Sequence, residues 1–311
     1  MASLIYSRKP CSRFLCCRVI GTQLDVIAAV ALPGFDAHGV GEPPSHRSPN
    51  MAASSVPSTA PVPSPPKRFL VLFDFDETIV NESSDDAVVR AAPGQQLPDW
   101  LRHSYREGYY NEQMQRILAY MAEQGVTEDS IRSKVEQIPP TPGLLTLFQY
   151  LQSHKQDFES VVVSDANMYF IEAWLERAGA RHLFHRIFTN PASFDAQGRL
   201  VLLPFHTHGC QRCPDNMCKQ VIVREYLARR QQERGGCPFQ RVFYVGDGAN
   251  DICPMLALGP RDTAFPRRHF PMHRLLQEMQ DAGTEGLKVS VVPWASGQDV
   301  VDCLKRLEEE R

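Results

Sequence analysis

Two aspartates, Asp74 and Asp76, stand two residues apart in the stretch Phe69–Val80, FLVLFDFDETIV. In extended geometry residues i and i+2 leave a strand on the same side. Carboxylates so placed repel each other unless a cation lies between them or one holds a proton. The spacing therefore points to a metal or to acid/base work, against the plainer reading of a strand ending in a solvated acidic turn. Further polar groups support the chemical reading: Ser164-Asp165, the Asp247…Asp251 pair in GDGAND, and Lys219 heading a helix between them. Together they suit phosphoryl transfer through an aspartyl phosphate. Asp74 would attack phosphorus, and Asp76 would protonate the leaving alkoxide and later take a proton from the hydrolytic water. Asp247, helped by Asp251, would hold Mg²⁺ with Asp74, since oxygen-only ligands suit that hard ion. Ser164 and Lys219 would donate to the phosphoryl oxygens.

Such a site needs elements that bring distant segments to one rim. Phe69–Phe73 is a short unbroken apolar run, the pattern of a strand covered on both faces of a parallel sheet. Val161–Val163 and Val242–Val245 are comparable runs, each ending in a polar cluster. In open α/β sheets ligands lie beyond the carboxyl ends of such strands. Further strands are expected at Arg186–Thr189, Thr263–Phe265 and Val289–Val292, with a hairpin over Phe194–Leu203. Helices are expected at about 169–178, 219–232, 269–282 and 297–309. Thr141 is read as capping another helix, with Pro142 at its first position and Leu144, Leu145, Leu147, Phe148 and Leu151 on its buried side. Strand–helix alternation of this kind predicts right-handed βαβ units and a doubly wound, Rossmann-like parallel sheet. Between the first strand and the next βα unit, residues 81–138 show no strand pattern. Tyr110, Met114, Ile117, Leu118 and Met121 recur there on one helical face, predicting a small helical insertion.

DFDET at Asp74–Thr78, a strand ending in Ser164, Lys219 before a helix, and GDGAND at Gly246–Asp251 resemble the four motifs of the haloacid dehalogenase-like phosphatase superfamily. Lys155 is a weaker competitor for the lysine. The resemblance implies a haloacid dehalogenase-like core over 67–80 and 139–311, a helical cap over 81–138, and Mg²⁺ as cofactor. The stretches SDAN, PFHTHGCQRCPDNMCK, YVGDGANDICP and AFPRRHFPMHRL, within a match from about Arg68 to Leu304, resemble a branch acting on phosphoethanolamine and phosphocholine. By that resemblance Asp74, Asp76 (through its carbonyl) and Asp247 bind metal, Asp85 and Asp165 contact substrate, and the released phosphate serves skeletal mineralisation in matrix vesicles. A sister branch acting on pyridoxal 5′-phosphate is similar at Asn190-Pro191-Ala192 and at Trp294–Gly297, and phosphoserine is a further candidate substrate.

The residues themselves favour a small phosphorylated amine alcohol. Asp85 and Asp165 would repel a bare phosphate, yet they suit a cationic head beside one; their alternative role is helix capping. Trp100, Tyr105, Tyr109 and Tyr110 would offer aromatic faces to a cation, unless they only pack helices.

His206, His208, Cys210, Cys213 and Cys218 read first as a loop of thiols and imidazoles shaping the approach to Lys219. A structural zinc and a redox pair at Cys210/Cys213 are the alternatives, because no second C-x-x-C completes a finger. A catalytically silent module that binds partners through zinc is the competing function. Arg267 and Arg268 are read as a solvated loop rather than as phosphate ligands.

A net charge of −3 gives no argument for nucleic acid. No apolar run is long enough to span a bilayer. Nine cysteines, an odd number, fit a reducing, cytosolic compartment better than a disulfide framework. Residues 1–66 read as a disordered extension: Arg8, Lys9, Arg13 and Arg18 precede the modest apolar patch Val26–Leu32, and Gly41–Pro66 is rich in Pro, Ser and Ala. Met51 is a candidate alternative start.

Overall fold

Strand β1, Phe69–Phe73, is buried at all of its positions. Phe69, Val71 and Phe73 enter one apolar cluster, while Leu70 and Leu72 enter another. Alternate residues thus serve the two faces of one sheet, which is why the run is apolar throughout. The computed structural model describes residues 67–106, 108–282 and 288–309. The expectations for residues 1–66 lie outside these.

The main sheet has the order β3-β2-β1-β6-β7-β8, and every pairing in it is parallel. Its other strands are β2 (Phe158–Asn167), β3 (Phe184–Asn190), β6 (Arg241–Gly246), β7 (Thr263–Pro266) and β8 (Ser290–Val291). A separate antiparallel hairpin joins β4 (Ala192–Phe194) to β5 (Leu200–Leu202). From β1 the chain moves outward to β2 and β3, then returns to β6 on the other side. The strand order reverses between β1 and β6, where such sheets form their ligand crevice. Phe73 pairs with Val162 of β2 and with Val245 of β6. Asp74, Ser164 and Asp247 therefore emerge together at the carboxyl edge.

One face of the sheet is covered by α5 (Leu144–Ser153), α6 (Met168–Arg177) and α10 (Gly297–Glu309). The other carries α7 (Lys219–Glu233), α8 (Ile252–Met255) and α9 (Pro271–Asp281). Helix α7 buries Lys219, Ile222, Val223 and Tyr226, one stripe at helical spacing. It is tied to β2 by Arg230, whose Nε donates to Glu159 Oε1 at 2.9 Å.

Four helices fill the interval after β1: α1 (Ser84–Val89), α2 (Asp99–Arg102), α3 (Tyr110–Glu123) and α4 (Glu128–Glu136). A narrow neck closes this interval, with Asn81 N–H on Pro139 O at 2.8 Å and Thr141 N–H on Ile79 O at 3.1 Å. Met114, Ile117, Leu118 and Met121 are buried as their spacing predicts, and Tyr110 is half-buried. The β4–β5 hairpin is tied to α3 by the Gln115 amide, which accepts from Leu202 N–H at 2.6 Å and donates to Leu200 O at 3.3 Å.

Two local expectations are corrected. Thr141 does not cap α5, because its backbone is committed to the neck; the N-cap is Gly143 at φ 71°. Only glycine fits there, since a Cβ would stand 2.1 Å from Ser296 Oγ. Leu145 points outward at 46% exposure, whereas Leu144, Leu147, Phe148 and Leu151 are buried.

Candidate active site

Three buried carboxylates, Asp74, Asp247 and Asp251, bring oxygens within 4.8 Å of one another at the switch point. Asp74 Oδ1 accepts from Phe75 N–H at 2.7 Å, and its Oδ2 meets Lys219 Nζ at 2.8 Å. Lys219 also reaches Asp251 Oδ1 at 2.8 Å. Asp247 Oδ1 accepts from Thr78 Oγ1 at 3.1 Å. Asp251 is the most enclosed of the three. Tyr244 Oη donates to its Oδ1 at 2.6 Å, and the N–H groups of Asp247 and Gly248 reach its Oδ2 at 3.1 and 2.9 Å. It thus holds Lys219 and the Asp247 backbone in place. Ser164 is fully buried one strand over, its Oγ accepting Ala166 N–H at 3.3 Å. Lys155 is exposed at the amino end of β2, opposite the rim, so Lys219 is the lysine of the site.

Asp76 opens the turn that follows β1. The chain leaves extended geometry after Phe73 and turns, with Thr78, Ile79 and Val80 N–H all directed at Phe75 O. Asp76 Oδ1 accepts Ser84 N–H at 2.8 Å, at the first turn of α1.

Burial pushes the Asp74 carboxyl up to about 8, assisted by Asp251 and opposed by Lys219. Burial likewise pushes Asp76 up to about 8, with Asp85 adding to it and Ser84 N–H opposing. For Lys219 burial works against charge, but Asp251 and Asp74 outweigh it and hold the ammonium above its usual range. A compact set of hard oxygen donors, Asp74 and Asp247 among them, fits a divalent cation.

Asp85 is buried at the start of α1 and accepts from Tyr110 Oη at 2.5 Å, while the cap of that helix is Ser83. Asp165 accepts from Asn250 Nδ2 at 2.9 Å and adds its negative field to Asp74, Asp76 and Lys219. Neither carboxylate is a helix cap. Among the four aromatics, Trp100 stacks edge-on with Tyr120 and Tyr109 lies under Arg106. Tyr105 packs on Tyr110, which is the one bonded to Asp85.

Arg267 corrects the reading of a solvated loop, although Arg268 is exposed as expected. Arg267 is buried, donates to Glu77 O and Asn81 Oδ1, and lies over the rings of Phe270 and Trp294. It clamps the turn that carries Asp74 and Asp76, where Glu77 adopts a positive φ of 54°. For a non-glycine residue that conformation costs about 1 kcal/mol. Tyr244, Thr78 and Asn250 were also missed. Tyr244 passes for core in the run VFYVG, although a buried tyrosine hydroxyl needs a partner.

A central parallel strand delivering an aspartate into such a carboxylate–lysine cluster defines a phosphatase of the haloacid dehalogenase-like class. The chain belongs to the "Putative Phosphatase" family, whose sequence model matches residues 69–308. It is 58% identical over 262 residues to the probable phosphatase phospho1 of Danio rerio, covering 84% of this chain and 94% of that one. It is 49% identical over 273 residues to a phosphoethanolamine/phosphocholine phosphatase of Gallus gallus, covering 88% and 97%. A pyridoxal phosphate phosphatase of Homo sapiens is 38% identical over 240 residues, covering 77% and 98%. The chain is a phosphoric monoester hydrolase.

Proposed function

We propose that this phosphatase hydrolyses phosphoethanolamine and phosphocholine with Mg²⁺ through an aspartyl phosphate on Asp74. The buried Asp74–Lys219–Asp251 arrangement beside Asp247 carries this reading. Asp74, Asp247 and the Asp76 carbonyl would hold Mg²⁺, whose positive charge would let an anionic nucleophile approach an anionic ester.

Asp74 forms a bond to phosphorus as the phosphorus–alkoxide bond breaks. Asp76, protonated at neutral pH, gives its proton to the departing oxygen. Water then attacks the acyl phosphate, Asp76 takes its proton, and inorganic phosphate leaves with Asp74 restored. Lys219 and Ser164 hold the phosphoryl oxygens during both transfers.

The substrate assignment is supported by the name of the 49% identical relative and by Asp85 and Asp165, which suit an ammonium head near Asp76. The helices of residues 81–138 cap the site and contribute Asp85 and Tyr110 to it. The 38% identical relative favours pyridoxal phosphate as a second reading. A panel of phosphocholine, phosphoethanolamine, phosphoserine and pyridoxal phosphate, with and without Mg²⁺, separates them. We expect Asp74→Asn to abolish turnover and Asp85→Asn to raise KM about tenfold for phosphocholine but not for an amine-free ester. Preference for phosphoserine or pyridoxal phosphate, or full activity after chelation, overturns the assignment.

A further inference from the structure

Four cysteine sulfurs, from Cys210, Cys213, Cys218 and Cys253, lie within 4.8 Å of one another beside the catalytic rim. Three come from the irregular loop 203–218, in the spacing C-x₂-C-x₄-C; the fourth enters from α8. Sequence reading missed Cys253 because it is remote from the loop and trails the GDGAND motif. No disulfide joins any of the six described cysteines.

We propose that these four cysteines form a structural zinc site. Zinc–thiolate bonds of about 2.3 Å in a tetrahedron separate sulfurs by about 3.8 Å. Cys210 and Cys253 stand 3.7 Å apart, near that edge length and far from the roughly 2 Å of a disulfide. Four sulfurs within 4.8 Å of each other is the grouping of a closed tetrahedral site, which leaves no open position for chemistry.

The histidines of the loop frame this cluster. His208 Nδ1 accepts Cys210 N–H at 3.2 Å, and its Nε2 lies 2.8 Å from Pro214 O. His206 Nε2 accepts Cys218 N–H at 3.0 Å. These bonds hold the backbone of two ligands and leave the sulfurs facing one another. A long loop with no helix or strand of its own gains the most from such a staple.

The position gives the zinc a purpose. Cys218 is the N-cap of α7 and immediately precedes Lys219, while Cys253 follows Asp251 by two residues. A metal joining them ties the start of α7 to the Asp247–Asp251 loop, fixing the approach of Lys219 to Asp251. The zinc site itself does not rest on the substrate assignment, and metal content is readable whatever ester is hydrolysed.

The test is metal analysis of the purified full-length protein after dialysis against metal-free buffer. We expect one zinc per chain, and a thiolate-to-cobalt charge-transfer band in protein prepared with cobalt. Cys253→Ser, and separately the half-buried Cys210→Ser, should lower bound zinc at least tenfold. If either variant fails to fold, wild-type zinc content and the cobalt spectrum still decide the matter. Zinc far below one per chain, four thiols that react freely with a thiol reagent, or a disulfide among them would sink the proposal.

Discussion

Lys219 Nζ stands 2.8 Å from Asp74 Oδ2, with both side chains almost wholly buried. The same nitrogen lies 2.8 Å from Asp251 Oδ1, so one ammonium serves two buried carboxyls. Breaking a buried pair by removing one partner leaves an uncompensated charge and costs about 3–5 kcal/mol. Lys219→Met should lower stability by that order in metal-free protein, as read from urea denaturation midpoints. Mg²⁺ should restore part of the loss by taking over the charge of the carboxylates. Turnover should stay far below normal even with Mg²⁺, because Ser164 alone is left to donate to the phosphoryl oxygens.

Gly246 sets the position of Asp251 through space rather than charge. A Cβ at residue 246 would stand 2.6 Å from Asp251 Oδ2 and 2.7 Å from its Cγ, a clash only movement relieves. Asp251 holds Lys219, Tyr244 and two backbone N–H groups, so displacing it disturbs the whole rim. Gly246→Ala should therefore reduce kcat at least a hundredfold while the protein still folds. A variant with near-normal kcat would show that Asp251 does not need its present seat.

Much of this arrangement was legible because burial on both faces leaves a plain mark on the chain. The runs at Phe69–Phe73, Val161–Val163 and Val242–Val245 could only be inner strands, and polar residues directly after them had to share a rim. Lys219 was found by its place before a helix. What escaped depends on contacts between remote segments. Nothing near Arg267 shows that it clamps Glu77 and Asn81, 190 and 186 residues earlier. Cys253 likewise shows no link to the Cys210–Cys218 loop until α8 is folded against α7.

The metal-free protein should become less stable as pH rises from about 4 to about 8. Asp74 and Asp76, pushed from their ordinary value of 3.8 up to about 8, retain protons in the folded state that the unfolded chain has released. Over that interval the native state binds more protons, so raising pH favours unfolding. Below the unfolded-state value the contribution is fully present, and it is lost as pH passes through the folded-state value. Thermal melts in chelator across this range should show Tm falling, with Asp76→Asn flattening the slope. Saturating Mg²⁺ should reverse the trend, since it binds the ionised carboxylates.

Asp76 is assigned two proton transfers, and leaving-group chemistry separates them. An alkoxide from phosphocholine must be protonated as it departs, whereas p-nitrophenolate leaves without help. Asp76→Asn should therefore slow phosphocholine hydrolysis by roughly 10²–10⁴-fold, the usual weight of a positioned acid. With p-nitrophenyl phosphate the first transfer should survive, and only attack of water on the Asp74 acyl phosphate should be slow. Rapid mixing should then show a burst of about one p-nitrophenol per active site, followed by a slow steady phase. The Asp74→Asn, Asp76→Asn double variant should give no burst, because the phosphoryl group has no carboxylate to reach. A burst that persists without Asp74 would remove it as nucleophile, and no burst in Asp76→Asn alone would remove Asp76 from the second step.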